Sequence, residues 1–134
     1  MKELTLYFDG SSKPNPGRAA CGFLIFGRDS EILEKSGRYI GITTNNVAEY
    51  AGLIFGLLRA AGRRPDRLTV CSDSLLLVKQ IQGEYKVKDE NLRRLHAIAQ
   101  EILRLFVHVD IRHVSHDENK AHDLAQSYLE SGLF

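Results

Sequence analysis

Residues 4–17 read LTLYFDGSSKPNPG, and this stretch decides the fold because it carries a strand directly into an acidic residue and a turn. Its apolar residues alternate with other side chains at the period of a strand: Leu4, Leu6 and Phe8. The segment Ser11–Gly17 holds two prolines and a terminal glycine, which predicts a turn. Asp9 is therefore expected to end the first strand, on the pleat opposite the apolar residues.

Turn residues and apolar spacing predict the other elements in the same way. Strands at 20–26 and 31–39 complete an antiparallel meander. A helix is expected to begin at the capping residues Thr43–Asn46 and to end near Gly62. The later elements are a strand at 67–72, a helix at 75–81, a helix from Asp89 to about Phe106, a strand at 107–113 and a helix at about 117–130.

This order of elements predicts an α/β fold with a five-stranded mixed sheet. An antiparallel meander is followed by parallel strands, and the connecting helices are expected on both faces of the sheet. A length of 134 residues suits one domain, spanning residues 1–134. Cys21 and Cys71 lie in apolar surroundings and are interpreted as buried, reduced thiols.

Composition excludes little beyond a membrane protein. No apolar run is long enough to span a bilayer, and the N-terminus lacks the pattern of a secretory signal. We therefore expect a cytoplasmic monomer without membrane contact. The formal net charge of +1 neither indicates nor excludes nucleic-acid binding, because a basic patch can coexist with an acidic site.

Three acidic residues follow predicted strand ends or begin a helix. Asp9 and Asp73 each end a strand, and Glu49 lies near the start of the helix between those strands. If the two strands are parallel neighbours, both aspartates leave one sheet edge and the helix brings Glu49 beside them. Clustered carboxylates repel one another unless hard divalent cations neutralise them, and Mg²⁺ prefers such oxygen ligands. Each residue taken alone could equally be a turn or capping residue.

Four segments resemble the motifs of type 1 ribonuclease H, in the order found in that family. They are YFDGSSKPNPG at 7–17, TTNNVAEY at 43–50, VCSDS at 70–74 and HVSHDENKAHDLA at 113–125. The resemblance implies a ribonuclease H-like fold and hydrolysis of the RNA strand of RNA–DNA hybrids with two Mg²⁺ ions, for which Mn²⁺ could substitute. Double-stranded RNA is a possible further substrate, and the expected products carry 5′-phosphate and 3′-hydroxyl ends.

The resemblance also implies a role for individual residues. Asp9, Glu49 and Asp73 match metal-binding carboxylates of the family. Three amide residues match positions that contact the hybrid in its minor groove: Asn15, Asn45 and Asn46. His113 matches the histidine that moves protons near the leaving group, and His116 is a second candidate.

The fourth carboxylate is ambiguous, because the chain is one residue shorter than the family pattern Asn-x-x-Ala-Asp-x-Leu-Ala. Counting forward from Asn119 places Asp123 at the ligand position, whereas counting back from Leu124 places His122 there. A carboxylate is the better ligand for a hard cation. We therefore predict Asp123 as the fourth catalytic and metal-binding residue, with His122 as the alternative.

Other departures bear on substrate affinity. Leu75 stands where many relatives carry a polar residue, and no basic helix is inserted within residues 82–88. A weaker phosphate patch could come from four cations, although they could also form a solvated helix face: Lys86, Lys88, Arg93 and Arg94. Two other functions stay open, namely a catalytically impaired binding module and a nuclease of the same fold that acts on double-stranded RNA or DNA.

Overall fold

The computed structural model describes residues 1–131, and it confirms the predicted α/β architecture. Five strands form one mixed sheet with the order β3-β2-β1-β4-β5. The strands are β1 (Glu3–Lys13), β2 (Gly17–Phe26), β3 (Ile32–Thr43), β4 (Arg67–Ser72) and β5 (Val109–His113). The helices are α1 (Asn45–Gly62), α2 (Leu75–Ile81), α3 (Glu90–Leu103) and α4 (His122–Ser131). The predicted single domain also includes residues 132–134, which lie outside the described residues.

Strand β1 lies at the centre of the sheet. It pairs antiparallel with β2 and parallel with β4, so the meander and the parallel half of the sheet share this strand. Thr5 and Tyr7 lie in register with Thr69 and Cys71. The carboxyl end of β4 consequently lies beside the middle of β1, next to the position of Asp9.

Helices cover both faces of the sheet. On one face α1 packs on β1 and β2, and α3 packs on α1. The close fit of α1 depends on small residues: a Cβ atom at Gly56 would lie 2.6 Å from Leu6. On the other face α4 packs on β2, β1 and β3, and a Cβ atom at Gly22 would lie 2.9 Å from Leu124. The central strands are therefore covered on both faces, with the main core beneath α1, whereas β3 and β5 contain no buried residue.

Capping side chains begin three of the helices where the sequence places them. Thr44 accepts a hydrogen bond from the Val47 N–H at the start of α1. Ser74 caps α2 in the same way, and Asp89 caps α3. Each cap satisfies an N–H group that lacks a partner within its helix.

Several predicted boundaries were wrong. Strand β1 continues to Lys13 instead of ending at Asp9, because the residues after Asp9 stay paired with β2 and the turn shrinks to residues 14–16. Val107 is 77% exposed, and β5 begins only at Val109, in register with Leu68. Helix α3 ends at Leu103.

The last helix begins at His122, five residues later than the predicted start at Asp117. The preceding residues form a turn that is closed by reciprocal hydrogen bonds. The Ser115 N–H donates to Glu118 Oε1, and the Glu118 N–H donates to Ser115 Oγ. These residues form the turn in place of the predicted helical residues, and the turn places His116 and Asn119 next to Asp73.

Candidate active site

A cluster of three carboxylates lies where β4 ends beside the middle of β1. Asp9 projects from β1, Asp73 follows β4, and Glu49 lies in α1. Each offers an oxygen atom, and these oxygens all lie within 4.8 Å of one another. The parallel pairing of β1 with β4 produces this convergence, because it places the end of β4 beside the part of β1 that carries Asp9.

A glycine lets Glu49 approach β1. Gly10 follows Asp9 and lies directly against α1, where an added Cβ atom would come within 2.3 Å of the Glu49 nitrogen. No side chain larger than hydrogen fits there unless the backbone moves. The contact between Gly10 and α1 therefore sets the separation of the two elements that carry Asp9 and Glu49.

Burial and mutual repulsion perturb the cluster. The pKa of Asp9 is raised to about 8, chiefly by loss of solvation and then by the charges of Asp73 and Glu49. The pKa of Glu49 rises to about 7, chiefly through burial and then through the charge of Asp73, although a hydrogen bond from Ser74 opposes the shift. Such shifts are typical of buried, clustered carboxylates, which occur often at functional sites.

The donor chemistry fits divalent cations. Carboxylate oxygens are the ligands that Mg²⁺ prefers, and a hard cation would neutralise the repulsion that raises these pKa values. The cluster lies in a cleft of about 590 Å³ that leaves room for a substrate. The cleft is lined by residues of β1, α1 and α4 together with His116, and these include Lys13, Asn45, His122, Asp123 and Gln126.

Asp123 lines this cleft but does not belong to the cluster of three. Its side chain is 89% exposed, compared with 35% for His122. His122 Nε2 lies 3.0 Å from Asp123 Oδ1, so the two candidates for the fourth position contact each other. The charge of Asp123 still contributes to the raised pKa of Asp9. Both residues lie near the cluster, and the choice between them stays a prediction.

The two candidate histidines lie in different places. His116 lines the cleft, and its Nδ1 lies 3.3 Å from Asp73 Oδ2. Its ring also contacts the ring of His122, with 3.7 Å between the centroids. His113 ends β5, opposite Ser72, and does not line the cleft. The geometry therefore brings His116, the lower-ranked candidate, to the carboxylates.

Two of the three predicted substrate-binding amides are held by the backbone. Asn45 Oδ1 accepts a hydrogen bond from the Ser12 N–H at 2.6 Å, and Asn15 Oδ1 accepts one from the Asn45 N–H at 3.1 Å. Their oxygens are therefore engaged, which orients each amide. Asn46 follows in α1 and lines a separate surface depression with Leu76 and Tyr85.

The basic residues predicted to contact phosphate lie outside the carboxylate cleft. Lys86, Lys88 and Arg93 line a shallow depression between the end of α2 and the start of α3. Arg94 lies 3.5 Å from Glu90 on the exposed surface of α3. Residues 82–89 form no helix, in agreement with the absence of an inserted basic helix. Leu75 is 45% exposed.

Sequence reasoning missed Asn119 as a site residue. Its side chain is 3% exposed and lies against Asp73, with 3.2 Å between Asn119 Nδ2 and Asp73 Oδ2. Its position in the HVSHDENKAHDLA segment was the available signal, but only tertiary structure shows what it touches.

Comparison with known proteins agrees with this fold. Residues 7–128 match the reverse transcriptase-like family, and the chain belongs to this ribonuclease H-like family. It is 40% identical over 125 residues to ribonuclease HI of Halobacterium salinarum, covering 92% of this chain and 63% of that protein. The chain thus spans less than two thirds of the length of this curated relative.

Solved structures of ribonuclease H proteins have the same fold as this chain. The N-terminal RNase H domain of a Mycobacterium tuberculosis protein superposes with a TM-score of 0.93 at 34% identity, covering 98% of this chain and 96% of that one. LC11-RNase H1, solved in complex with an RNA/DNA hybrid, gives a TM-score of 0.88 at 32% identity, covering 96% and 98%. Within residues 1–131, no helix is long and apolar enough to cross a membrane.

Proposed function

We propose that this domain is an endonuclease that hydrolyses the RNA strand of RNA–DNA hybrids and leaves 5′-phosphate and 3′-hydroxyl ends. The observation that carries the proposal is the convergence of Asp9, Glu49 and Asp73 in one half-buried cleft. Membership of the ribonuclease H-like family supports it, as does the hybrid bound to LC11-RNase H1.

The proposed cofactor is a pair of Mg²⁺ ions, for which Mn²⁺ can substitute. Asp9, Glu49 and Asp73 would hold them, with Asp123 as the fourth carboxylate. When bound, such ions lower the pKa of an attacking water and stabilise the leaving oxygen of a phosphodiester. The protein supplies the oxygen ligands. The raised pKa values of Asp9 and Glu49 show that, without cations, the negative charges of this cluster are not neutralised by neighbouring groups.

Asn15, Asn45 and Asn46 are proposed to read the minor groove of the hybrid. The oxygens of Asn15 and Asn45 already accept hydrogen bonds from backbone N–H groups. Their NH₂ groups are then the parts that can contact substrate, so both amides would act as donors towards 2′-hydroxyl or base-edge acceptors. The 2′-hydroxyl is the group that distinguishes RNA from DNA.

A histidine is proposed to move a proton near the leaving group. The resemblance points to His113, whereas the geometry favours His116, which lies beside Asp73 in the cleft. An imidazole suits this task because its ordinary pKa lies close to neutrality. Comparison of the His113→Ala and His116→Ala variants decides between the two histidines.

The expected partner is an RNA–DNA hybrid, bound by a monomer with modest, salt-sensitive affinity. The depression lined by Lys86, Lys88 and Arg93 could contact phosphates at a distance from the carboxylates.

Purified protein should be incubated with end-labelled RNA–DNA hybrid, double-stranded RNA and double-stranded DNA, with Mg²⁺ or Mn²⁺. We expect metal-dependent cleavage of the RNA in the hybrid, weaker or no cleavage of double-stranded RNA, and none of DNA.

Asp9→Asn provides the control for contaminating nucleases, because it removes a cluster carboxylate with little change in shape. The proposal would be overturned if the wild type cleaved no hybrid with either cation, or if Asp9→Asn cleaved the hybrid as fast as the wild type. Preferential cleavage of DNA or double-stranded RNA would instead favour a nuclease of the same fold with another substrate.

A binding module with impaired catalysis is the second candidate. The observation that favours it is the exposure of Asp123, which lies outside the cluster of three. Hybrid binding measured by fluorescence anisotropy, in the absence of cleavage with Mg²⁺ or Mn²⁺, would identify such a module.

A further inference from the structure

Asn119 connects three parts of the site through one buried side chain. Its Nδ2 donates to the carbonyl oxygen of Phe8 at 3.0 Å and to Asp73 Oδ2 at 3.2 Å. Its Oδ1 accepts a hydrogen bond from the Ala121 N–H at 3.0 Å. Phe8 immediately precedes Asp9, and Ala121 immediately precedes α4. The amide therefore touches the strand that carries Asp9, the Asp73 carboxylate and the start of the last helix.

The hydrogen-bonding capacity of this amide is matched to its neighbours. Its NH₂ group has two hydrogens, and both have an acceptor; its oxygen has a donor. A carboxylate at this position could donate no hydrogen bond, and a hydroxyl could donate only one. A buried amide with every bond made holds a fixed orientation, so it can fix the groups that it contacts.

We propose that Asn119 is a positioning residue that holds Asp73 in the orientation needed for cation binding, relative to both Asp9 and the start of α4. It acts through Asp73, because at 3% exposure it cannot reach a substrate in the cleft. Among the described residues, Asp73 Oδ2 is contacted by Asn119 and by His116. These two contacts restrict rotation of the carboxylate. The inference rests on the proposed function.

Asn119→Ala tests the proposal by removing all three hydrogen bonds. Mn²⁺ binding should be measured by calorimetry, and kcat and KM should be measured on a labelled hybrid. We expect about 10-fold weaker Mn²⁺ binding and about 10-fold lower kcat, since loss of residues that orient metal ligands typically has an effect of this size. KM for the hybrid should stay unchanged. Asn119→Ser keeps one donor and should change both quantities in the same direction by less, and it carries the test if the alanine variant does not fold.

Gln100→Ala is the matched control. Gln100 Nε2 donates to the carbonyl oxygen of Ile81 at 3.0 Å, the same kind of bond at the same length, but on α3 and away from the cleft. This control should lose stability without a change in Mn²⁺ affinity. The positioning role would be overturned if folded Asn119 variants had the same Mn²⁺ affinity and kcat as the wild type. It would also be overturned if Gln100→Ala lost as much Mn²⁺ affinity as Asn119→Ala. A wild-type protein that binds Mn²⁺ but cleaves no hybrid would overturn the proposed function, while the Mn²⁺ titrations still decide the role of Asn119.

Discussion

His116 Nδ1 lies 3.3 Å from Asp73 Oδ2, and the histidine side chain is 66% exposed while that of Asp73 is 14% exposed. One edge of the imidazole therefore contacts the carboxylate cluster, and the rest of the ring is accessible from the cleft. A group in this position can both contact substrate and exchange protons with solvent.

Replacing His116 by Ala should lower kcat on an RNA–DNA hybrid by about 100-fold, the lower range for loss of a general acid or base. His113→Ala should have a smaller effect, because His113 does not line the cleft. Steady-state kinetics of both variants measure the difference. The reverse order of effects would restore His113 as the group that transfers the proton.

Substitutions at the fourth position separate its two candidates. Asp123→Asn removes a charge that helps raise the pKa of Asp9, and we expect it to reduce Mg²⁺-dependent cleavage at least 10-fold. His122→Ala should have a smaller effect with Mg²⁺, because imidazole is the poorer ligand for a hard cation. Cleavage rates with Mg²⁺ and with Mn²⁺ should be compared for both variants. Greater loss in His122→Ala would identify the histidine as the fourth ligand.

Asn45→Asp should weaken hybrid binding without unfolding the protein. A carboxylate can still accept the hydrogen bond from the Ser12 N–H, and an acid is favourable in the first turn of α1. It cannot donate to the substrate and would repel phosphates. We expect KM to rise about 10-fold with little change in melting temperature, since about 1.4 kcal/mol of lost binding corresponds to that factor. An unchanged KM would remove Asn45 from the substrate site.

Gly10→Ala should impair both folding and catalysis. The added Cβ atom would lie 2.2 Å from the Ala48 carbonyl carbon, so β1 and α1 must separate. Overpacking of this kind costs about 1–3 kcal/mol, and the separation would also move Asp9 away from Glu49. Denaturant unfolding and cleavage assays provide the measurements.

Gly62→Ala is the control for that substitution, because nothing lies within 4 Å of the added atom. It should keep full activity and stabilise the protein by up to about 1 kcal/mol, as alanine is the better helix former. Equal tolerance of both substitutions would show that α1 does not limit the approach of β1.

Without divalent cations, stability should fall as pH rises from about 4 to about 8. The ordinary pKa of Asp9 is 3.8, and the folded protein raises it to about 8, so over this range the folded state binds the proton more tightly than the unfolded state. Stability that is fully present below the unfolded pKa is therefore lost as pH passes through the folded pKa. Glu49 acts in the same direction up to about pH 7.

Melting temperature measured against pH in EDTA tests this expectation. The decline should be readily measurable, since each unit by which the folded state raises a pKa is equivalent to about 1.4 kcal/mol. Asp9→Asn should show a smaller decline, and saturating Mg²⁺ should reduce it in the wild type. A melting temperature that rises over this range would contradict the raised pKa of Asp9.

The sequence predicted the fold class because its elements have local signals. Alternation in residues 4–8 and the caps at Thr44, Ser74 and Asp89 identify strands and helix starts without tertiary information. The end of β1 could not be predicted in this way. Residues 11–13 have turn chemistry, yet they pair with residues 18–20 because the partner strand supplies the hydrogen bonds.

By itself the sequence determined that Asp9 lies on the first strand, that Asp73 follows a strand and that Glu49 lies near a helix start, since strand alternation and helix capping are local properties. Tertiary structure alone decided that His116 lies beside Asp73 while His113 does not, and that α4 begins only at His122. It also decided that Asn119 bonds to Phe8, 111 residues earlier in the chain. Contacts over such separations depend on strand order, register and helix packing, which the spacing of residues along one element does not contain.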